Sequence, residues 1–354
     1  MSEKKIALIS RVGWEEVLCR EIDREFPDVK PVIESPGCVL CKYSRDLRDS
    51  ELIFAVCTIL DVHEIECESV KEITDSLGRI ADQYLDSVSM PWCIDIKTPG
   101  YFSIDDKYYS DIFSRAELIT EKFIERMKKF RKRTSERMIQ WPNPEDLRTS
   151  VIFIQGMLTA KNRLLIGITQ GKKFGSKEFY PKQMISHGNL IPFDEKAPCR
   201  SYYKLEEAML HSGKKIMAGE TCVDLGAAPG GWTWAALKRG AKVIAIDAAK
   251  LSPIMENHKN LTHLEENGYS YIPTEKTDWL FCDMIVKPLA TLGLLERWLE
   301  KGLVDKFVVN VKFRGKEPES ILDAINALKK KFSLDNLIIK HLIYDKNEIT
   351  LIYS

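Results

Sequence analysis

The sequence predicts a two-part α/β protein. Its second half reads as a doubly wound, Rossmann-like sheet with an antiparallel hairpin at one edge, and its first half as an α+β arrangement. Three observations predict this. Strand-like apolar runs alternate with helical stretches from Thr221 to the C-terminus. A glycine-rich turn, Gly226-Ala227-Ala228-Pro229-Gly230-Gly231, follows the first of those runs and enters a helix. The final two runs are separated only by a short turn through Asp345-Lys346-Asn347.

In the first half, Lys5–Ser10 reads as a strand and Trp14–Phe26 as a helix, with acids and apolar residues at helical spacing. Gly37–Tyr43 is a strand, and Asp49–Cys57 fits a helix or a strand. Val62–Val70 is a strand, Ile73–Leu85 a helix and Trp92–Thr98 an alternating strand. Ser110–Lys132 is strongly helical, with Ile112, Phe113, Ala116, Ile119, Phe123, Ile124, Met127 and Phe130 on its apolar positions. Val151–Thr159 and Arg163–Thr169 form a hairpin around Lys161-Asn162. A polar, Gly/Pro-containing segment, 171–196, then places a domain boundary near 185–195. Beyond it, strands are expected at 221–225, 242–246, 269–273, 279–282, 306–311, 336–342 and 349–353. Helices are expected at 203–211, 232–238, 288–301 and 317–331.

At 354 residues, with 44% hydrophobic and 29% charged residues, the composition is that of an ordinary globular protein. No apolar run approaches the roughly 18 residues that cross a bilayer. Met1-Ser2-Glu3-Lys4-Lys5 leads straight into a strand, which reads as no signal peptide. Nine scattered cysteines suggest reduced, buried thiols and a cytoplasmic location rather than a disulfide framework. The net charge of zero hides an asymmetry. Residues 1–110 carry 13 Lys+Arg against 22 Asp+Glu, and 111–200 carry 18 against 10. A polyanion would dock on that second stretch.

Glycines in a loop permit close backbone approach to a ligand, and the following helix presents unpaired N–H groups and a positive dipole end. The spacing G-x-x-x-G-G departs from the dinucleotide pattern G-x-G-x-x-G. It favours a smaller nucleoside ligand such as S-adenosylmethionine. Asp224, ending the preceding strand, is placed to bind ligand amines or hydroxyls. Four charged residues fall at strand ends or helix starts on the ligand side: Lys204, Asp283, Lys312 and Glu348. Transfer of a methyl group to a ribose hydroxyl needs a positioned oxygen in line with a sulfonium. A lysine can take the proton only if it is held in place and tuned. Asp283 and Glu348 would orient and tune Lys312. The alignment of two bound reactants would supply most of the acceleration.

The segments CRSYYKLEEA, VDLGAAPGGWTW, VIAIDAAKL, DWLFCDMIVKP, NVKF and YDKNEITL occur in the order of the heat-shock-type RNA ribose 2′-O-methyltransferases, which the chain resembles. The resemblance extends to family members with a THUMP-containing N-terminal half. It implies three parts: an N-terminal α+β, ferredoxin-like module over 1–100, a THUMP-like RNA-binding module over 101–185 and the methyltransferase domain over 186–354. It implies S-adenosylmethionine as cofactor and methylation of a cytidine ribose in large-subunit ribosomal RNA. No metal, DNA or membrane partner is expected. It places the family's catalytic tetrad on Lys204, Asp283, Lys312 and Glu348. Lys312 would be the base, Asp283 and Glu348 its supports, and Lys204 the residue that steers the hydroxyl. The cofactor residues would be Ser201, Asp224, Gly226, Ala227, Pro229, Gly230, Gly231, Trp232, Thr233, Asp247, Asn267 and Asp283. Two places depart from the family pattern. Asn267-Gly268 stands where an acid usually precedes the glycine, and Phe313-Arg314-Gly315 replaces a proline-containing turn after Lys312.

Other features read as mainly structural. Cys38-Val39-Leu40-Cys41 lacks a second ligand pair for zinc. The six histidines are isolated, which argues against a catalytic triad. The basic stretch 122–137 suits phosphates, and Tyr101, Phe102, Tyr108, Tyr109, Phe174, Phe179 and Tyr180 suit stacking on unpaired bases or packing in the first half. Three competing readings are 2′-O-methylation of another RNA such as tRNA, methylation of a base nitrogen, and a non-catalytic RNA-binding protein. The Asp283-Met284-Ile285-Val286 segment lacks the Asn/Asp-Pro-Pro-aromatic motif of base-nitrogen enzymes.

Overall fold

The computed structural model describes residues 4–42, 52–99, 110–140, 151–171, 191–313 and 315–354. It divides into two compact units, Met1–Leu190 and Ile191–Ser354. The expected aromatic positions 101, 102, 108, 109, 174, 179 and 180 lie outside the described residues, as does most of the 171–196 segment.

The first unit begins with β1 (Lys5–Ile9), α1 (Glu15–Glu25), β2 (Val32–Ser35), β3 (Cys38–Lys42) and β4 (Cys57–Ile59). These strands form a sheet in the order β2-β3-β1-β4. β1 is central, and its Ile6, Ala7, Leu8 and Ile9 are buried. β2 was not anticipated, because its apolar residues Val32 and Ile33 are exposed at the sheet edge and leave no burial pattern to read. Then come β5 (His63–Glu66), α2 (Val70–Leu85), β6 (Trp92–Lys97), α3 (Ser110–Phe130), the single turn α4 (Lys132–Ser135), β7 (Val151–Ala160) and β8 (Arg163–Gly171). Their sheet runs β5-β8-β7-β6. Ser69 and Glu72 close α2 with a reciprocal capping box. Ile73, Leu77 and Ala81 of α2 share a core with Ile119, Phe123 and Met127 of α3.

Strand pairing therefore corrects the expected boundary at residue 100. β5 and β6 lie before that residue but pair with β8 and β7, so the two sheets divide near residue 60. Such long-range pairing is set by where an apolar strand finds a partner, which composition along the chain does not record.

The second unit contains α5 (Tyr202–Ser212), β9 (Thr221–Leu225), α6 (Gly231–Leu237), β10 (Lys242–Ile246), β11 (Leu261–Leu264), β12 (Thr277–Cys282), α7 (Pro288–Glu300), β13 (Val304–Lys312), α8 (Glu319–Lys331), β14 (Ile338–Lys340) and β15 (Glu348–Tyr353). The sheet order is β11-β10-β9-β12-β13-β15-β14. β9 to β13 pair in parallel, whereas β15 runs antiparallel to both β13 and β14. This is the expected doubly wound sheet with an edge hairpin. Strand order reverses between β9 and β12, which puts the ligand crevice beyond their carboxyl ends. Central strands are apolar on both faces because helices cover both.

One expected strand is displaced. The third parallel strand is β11 at Leu261–Leu264, not Tyr269–Pro273. The later segment is irregular and held by α7: Arg297 donates to the Tyr269 carbonyl at 2.9 Å and stacks 4.7 Å from its ring. Its aromatic content reflects that packing rather than strand pairing.

Candidate active site

The C-terminal ends of β12 and β13 and the start of β15 bring three of the four tetrad residues together, and α5 supplies the fourth. Lys312 ends β13 and Glu348 opens β15, and the antiparallel register sets them directly opposite each other. Asp283 is the first residue beyond β12. Lys312 Nζ lies 2.5 Å from Asp283 Oδ1 and 2.6 Å from Glu348 Oε2. Lys204 Nζ lies 2.5 Å from Glu348 Oε1 and 3.3 Å from Asp283 Oδ2. Each ammonium thus touches both carboxylates. The four side chains are mostly buried, from 6% exposed at Glu348 to 20% at Lys312.

The charges balance, and this decides the protonation states. Burial pushes both lysines toward neutrality, but Asp283 and Glu348 outweigh it and hold both above the ordinary lysine value. Burial likewise favours protonation of Glu348, yet Lys204 and Lys312 hold it below the usual carboxylate value. The resting site is therefore two ammoniums between two carboxylates, with Lys312 protonated.

Packing on α5 fixes Lys204. Glu207, one turn on, accepts from the Ile343 backbone N–H at 2.9 Å. Tyr203 stacks on Tyr344 with centroids 4.3 Å apart. At the start of α5, the Ser201 carbonyl accepts from Trp232 Nε1 at 2.9 Å. The glycine loop and the helix carrying Lys204 are thereby one packed structure.

This changes the reading of the loop. A Cβ on Gly231 would sit 2.2 Å from Ser201 Oγ, and one on Gly230 would sit 2.0 Å from Met255 Cε. One on Gly226 would sit 3.1 Å from the Met284 Cα. These glycines admit neighbouring protein, and Gly226 and Gly230 also have φ of +78° and +112°. Asp224 is likewise engaged with neighbouring protein. It is 1% exposed, and its carboxylate accepts from Thr233 Oγ1 at 2.7 Å and from the Thr233 backbone N–H. It fastens the first turn of α6, and burial raises it to about 7. Ala227, Gly230, Gly231, Trp232 and Thr233 are buried with it.

Residues that keep an open face converge on the crevice. Asp247, just beyond β10, accepts from the backbone N–H groups of Ala228 at 3.0 Å and Ala249 at 2.8 Å. Gly226 is partly open, and Pro229 and Asn267 are exposed. A Cβ on Gly268 would lie 3.4 Å from Gly226 N and 3.1 Å from Met284 Sδ, so the loops after β9, β11 and β12 meet there. Asp247, Asn267 and Asp283 stand on the loops after β10, β11 and β12 and carry groups of the kind that pair with the hydroxyls and amines of a nucleoside-bearing cofactor.

Asn310 escaped the sequence reading. Its Nδ2 donates to Asp283 Oδ1 at 3.0 Å. The available signal was its position two residues before Lys312, which puts both on one face of β13.

In the first unit, the basic stretch divides into two sets. Arg131 pairs with Asp82 at 3.0 Å, Arg126 lies near Asp75 and Asp82, and Arg137 donates to the carbonyls of Leu85, Val88 and Met90. Lys128, Lys129, Lys132 and Arg133 are exposed, with Lys129 over the 63% exposed Phe130 ring. Cys38 and Cys41 are buried free thiols, and burial raises Cys41 to about 12. Among the described residues no helix is long and apolar enough to cross a membrane.

Residues 197–332 match the FtsJ-like methyltransferase family model. The chain is 36% identical over 166 residues to "Ribosomal RNA large subunit methyltransferase M" of Laribacter hongkongensis, covering 44% of this chain and 47% of that protein. The chain thus spans about half the length of several curated relatives it matches. A protein of the same name from Histophilus somni (strain 2336) is 27% identical over 98% of both chains. The alignment with a solved structure of TrmN from Thermus thermophilus covers 99% of both chains at 10% identity, with a TM-score of 0.34. FtsJ-like methyltransferases take their methyl group from S-adenosylmethionine. Residues 197–332 thus match an FtsJ-like methyltransferase domain, in a chain that is similar over 98% of its length to a protein named ribosomal RNA large subunit methyltransferase M.

Proposed function

We propose that the protein methylates a ribose 2′-hydroxyl of RNA, the substrate being a cytidine of large-subunit ribosomal RNA. The observation that carries this reading is the pair of ammoniums interlocked with Asp283 and Glu348 at the crevice. A ribose hydroxyl is a poor nucleophile until its proton is shared, and a lysine among carboxylates is suited to share it.

Asp247, Asn267, Pro229 and the Gly226 backbone would hold the cofactor, which when bound supplies a sulfonium-activated methyl group. Lys204 holds the hydroxyl oxygen in line by donating a hydrogen bond. Lys312, in its neutral form, accepts the proton at Nζ. Asp283 and Glu348 fix the lysine and balance the charge it then regains. Positioning supplies much of the rate. The unit Met1–Leu190 grips the RNA, with Lys128, Lys129, Lys132 and Arg133 on phosphates and Phe130 available for stacking. A THUMP-like role belongs to this unit in the same reading.

The test is incubation with ribosomal RNA and isotopically labelled S-adenosylmethionine, followed by nuclease digestion and mass spectrometry. The label is expected on a cytidine sugar. A label on a base, or on no nucleoside, overturns the reading.

A further inference from the structure

Behind the tetrad lies a carboxyl group that the proposed chemistry does not use. Asp345, in the turn before β15, is fully buried. Its Oδ2 lies 2.9 Å from Thr350 Oγ1 and accepts from the Leu342 backbone N–H at 2.9 Å. Among the described residues, its Oδ1 is buried without a hydrogen-bond partner. Thr350 Oγ1 also lies 2.7 Å from Asn310 Oδ1, and Asn310 Nδ2 donates to Asp283 Oδ1.

Counting hydrogens decides the direction of this chain. The Asn310 amide must turn its N–H₂ toward Asp283, so its oxygen faces Thr350 and needs a donor. Thr350 has one hydroxyl hydrogen. That hydrogen serves Asn310, and the 2.9 Å contact to Asp345 then requires a hydrogen on Asp345. We propose that Asp345 is a neutral carboxylic acid and a positioning residue, which orients Asp283 and hence Lys312 through Thr350 and Asn310.

The surroundings agree. Asp345 faces Glu348 from β15, Lys204 and Glu207 from α5, and the Leu342 N–H. Burial raises it well above the usual carboxylate value, Glu348 and Glu207 raise it further, and Lys204 opposes them. An ionised Asp345 would place a third negative charge behind two lysines already matched by two carboxylates. A neutral acid keeps the tetrad balanced and still sends a hydrogen bond forward.

The proposal rests on the methyltransfer reading only for its kinetic arm. The direct test is carbon NMR of the full chain with labelled aspartate, the Asp345 carboxyl being assigned by its loss in Asp345→Asn. At about pH 7 the resonance is expected at the protonated position, with no titration near the ordinary aspartate value of about 3.9. A resonance that ionises there overturns the assignment, whether or not the protein methylates RNA. The kinetic arm uses Thr350→Val, expected to lower kcat about tenfold while cofactor Kd stays within about twofold, with Thr350→Ser restoring most of the rate. A folded Thr350→Val protein with native kcat overturns the positioning role. Should Thr350→Val fail to fold, the carboxyl resonance of the native chain still decides the protonation state.

Discussion

Lys312 and Glu348 face each other as a cross-strand pair, last residue of β13 against first residue of β15, with Nζ and Oε2 2.6 Å apart. Antiparallel addition of β15 to a parallel sheet creates this pair, because it delivers the beginning of one strand to the carboxyl end of another. Residues 36 positions apart become neighbours at the mouth of the crevice.

If Lys312 accepts the ribose proton, Lys312→Met should lower kcat by about 10²–10⁴-fold, the usual range for a general base. Cofactor affinity should change little, since Asp247, Asn267 and the Gly226 loop are untouched. Single-turnover methylation and isothermal titration with S-adenosylmethionine check both halves. Normal turnover in this variant would remove Lys312 from the reaction.

The raised pKa of Lys312 gives the pH dependence a sign. At neutral pH the side chain is mostly ammonium, so the neutral fraction, and with it kcat, should rise about tenfold per pH unit toward alkaline pH. Glu348→Gln removes a charge that raises Lys312 and should move the rise to lower pH. A kcat profile flat between about pH 7 and 10 would contradict proton transfer to this group in the rate-limiting step.

Asp224 predicts a stability trend of the opposite kind to that of a paired carboxylate. Its folded value is raised from 3.8 to about 7, chiefly by burial. Between those values the unfolded chain ionises while the folded chain keeps its proton. Its contribution is full at acid pH and is lost as pH rises through about 7, by on the order of 2–4 kcal/mol. Asp224→Asn keeps an acceptor for Thr233 and should abolish this part of the slope. Urea denaturation of both proteins between about pH 4 and 8 measures it, and parallel curves would refute it.

The basic stretch should separate into binding and structural residues. Replacing Lys128, Lys129, Lys132 and Arg133 together by alanine should weaken RNA binding and reduce the log–log salt slope by about 3, at roughly 0.7–0.9 per lost phosphate contact. Arg131→Ala, which breaks the Asp82 pair, should act mainly on stability. An unchanged salt slope in the fourfold variant would place RNA elsewhere on the unit.

Much of the second unit was legible because its strands are short apolar runs between helices. β9 and β10 fall at the expected residues, and α5, α6, α7 and α8 within one or two. Lys204, Asp283, Lys312 and Glu348 could be singled out by their places at element ends. The displaced β11 shows the limit: Leu261–Leu264 is partly exposed at the sheet edge and carries a weak apolar signal. The exposed edge strand β2 and the division of the first unit near residue 60 escaped for related reasons.

The sequence by itself determined the α/β order, the glycine turn and which charged residues end its strands. Local periodicity and turn chemistry write these directly into the chain. Only the tertiary structure decided that Asp224 secures a helix, that the loop glycines admit Met255, Ser201 and Met284, and that Asn310, Thr350 and Asp345 stand behind the tetrad. Burial, hydrogen-bond direction and charge balance depend on neighbours brought from distant parts of the chain, and a strand's register is what brings them.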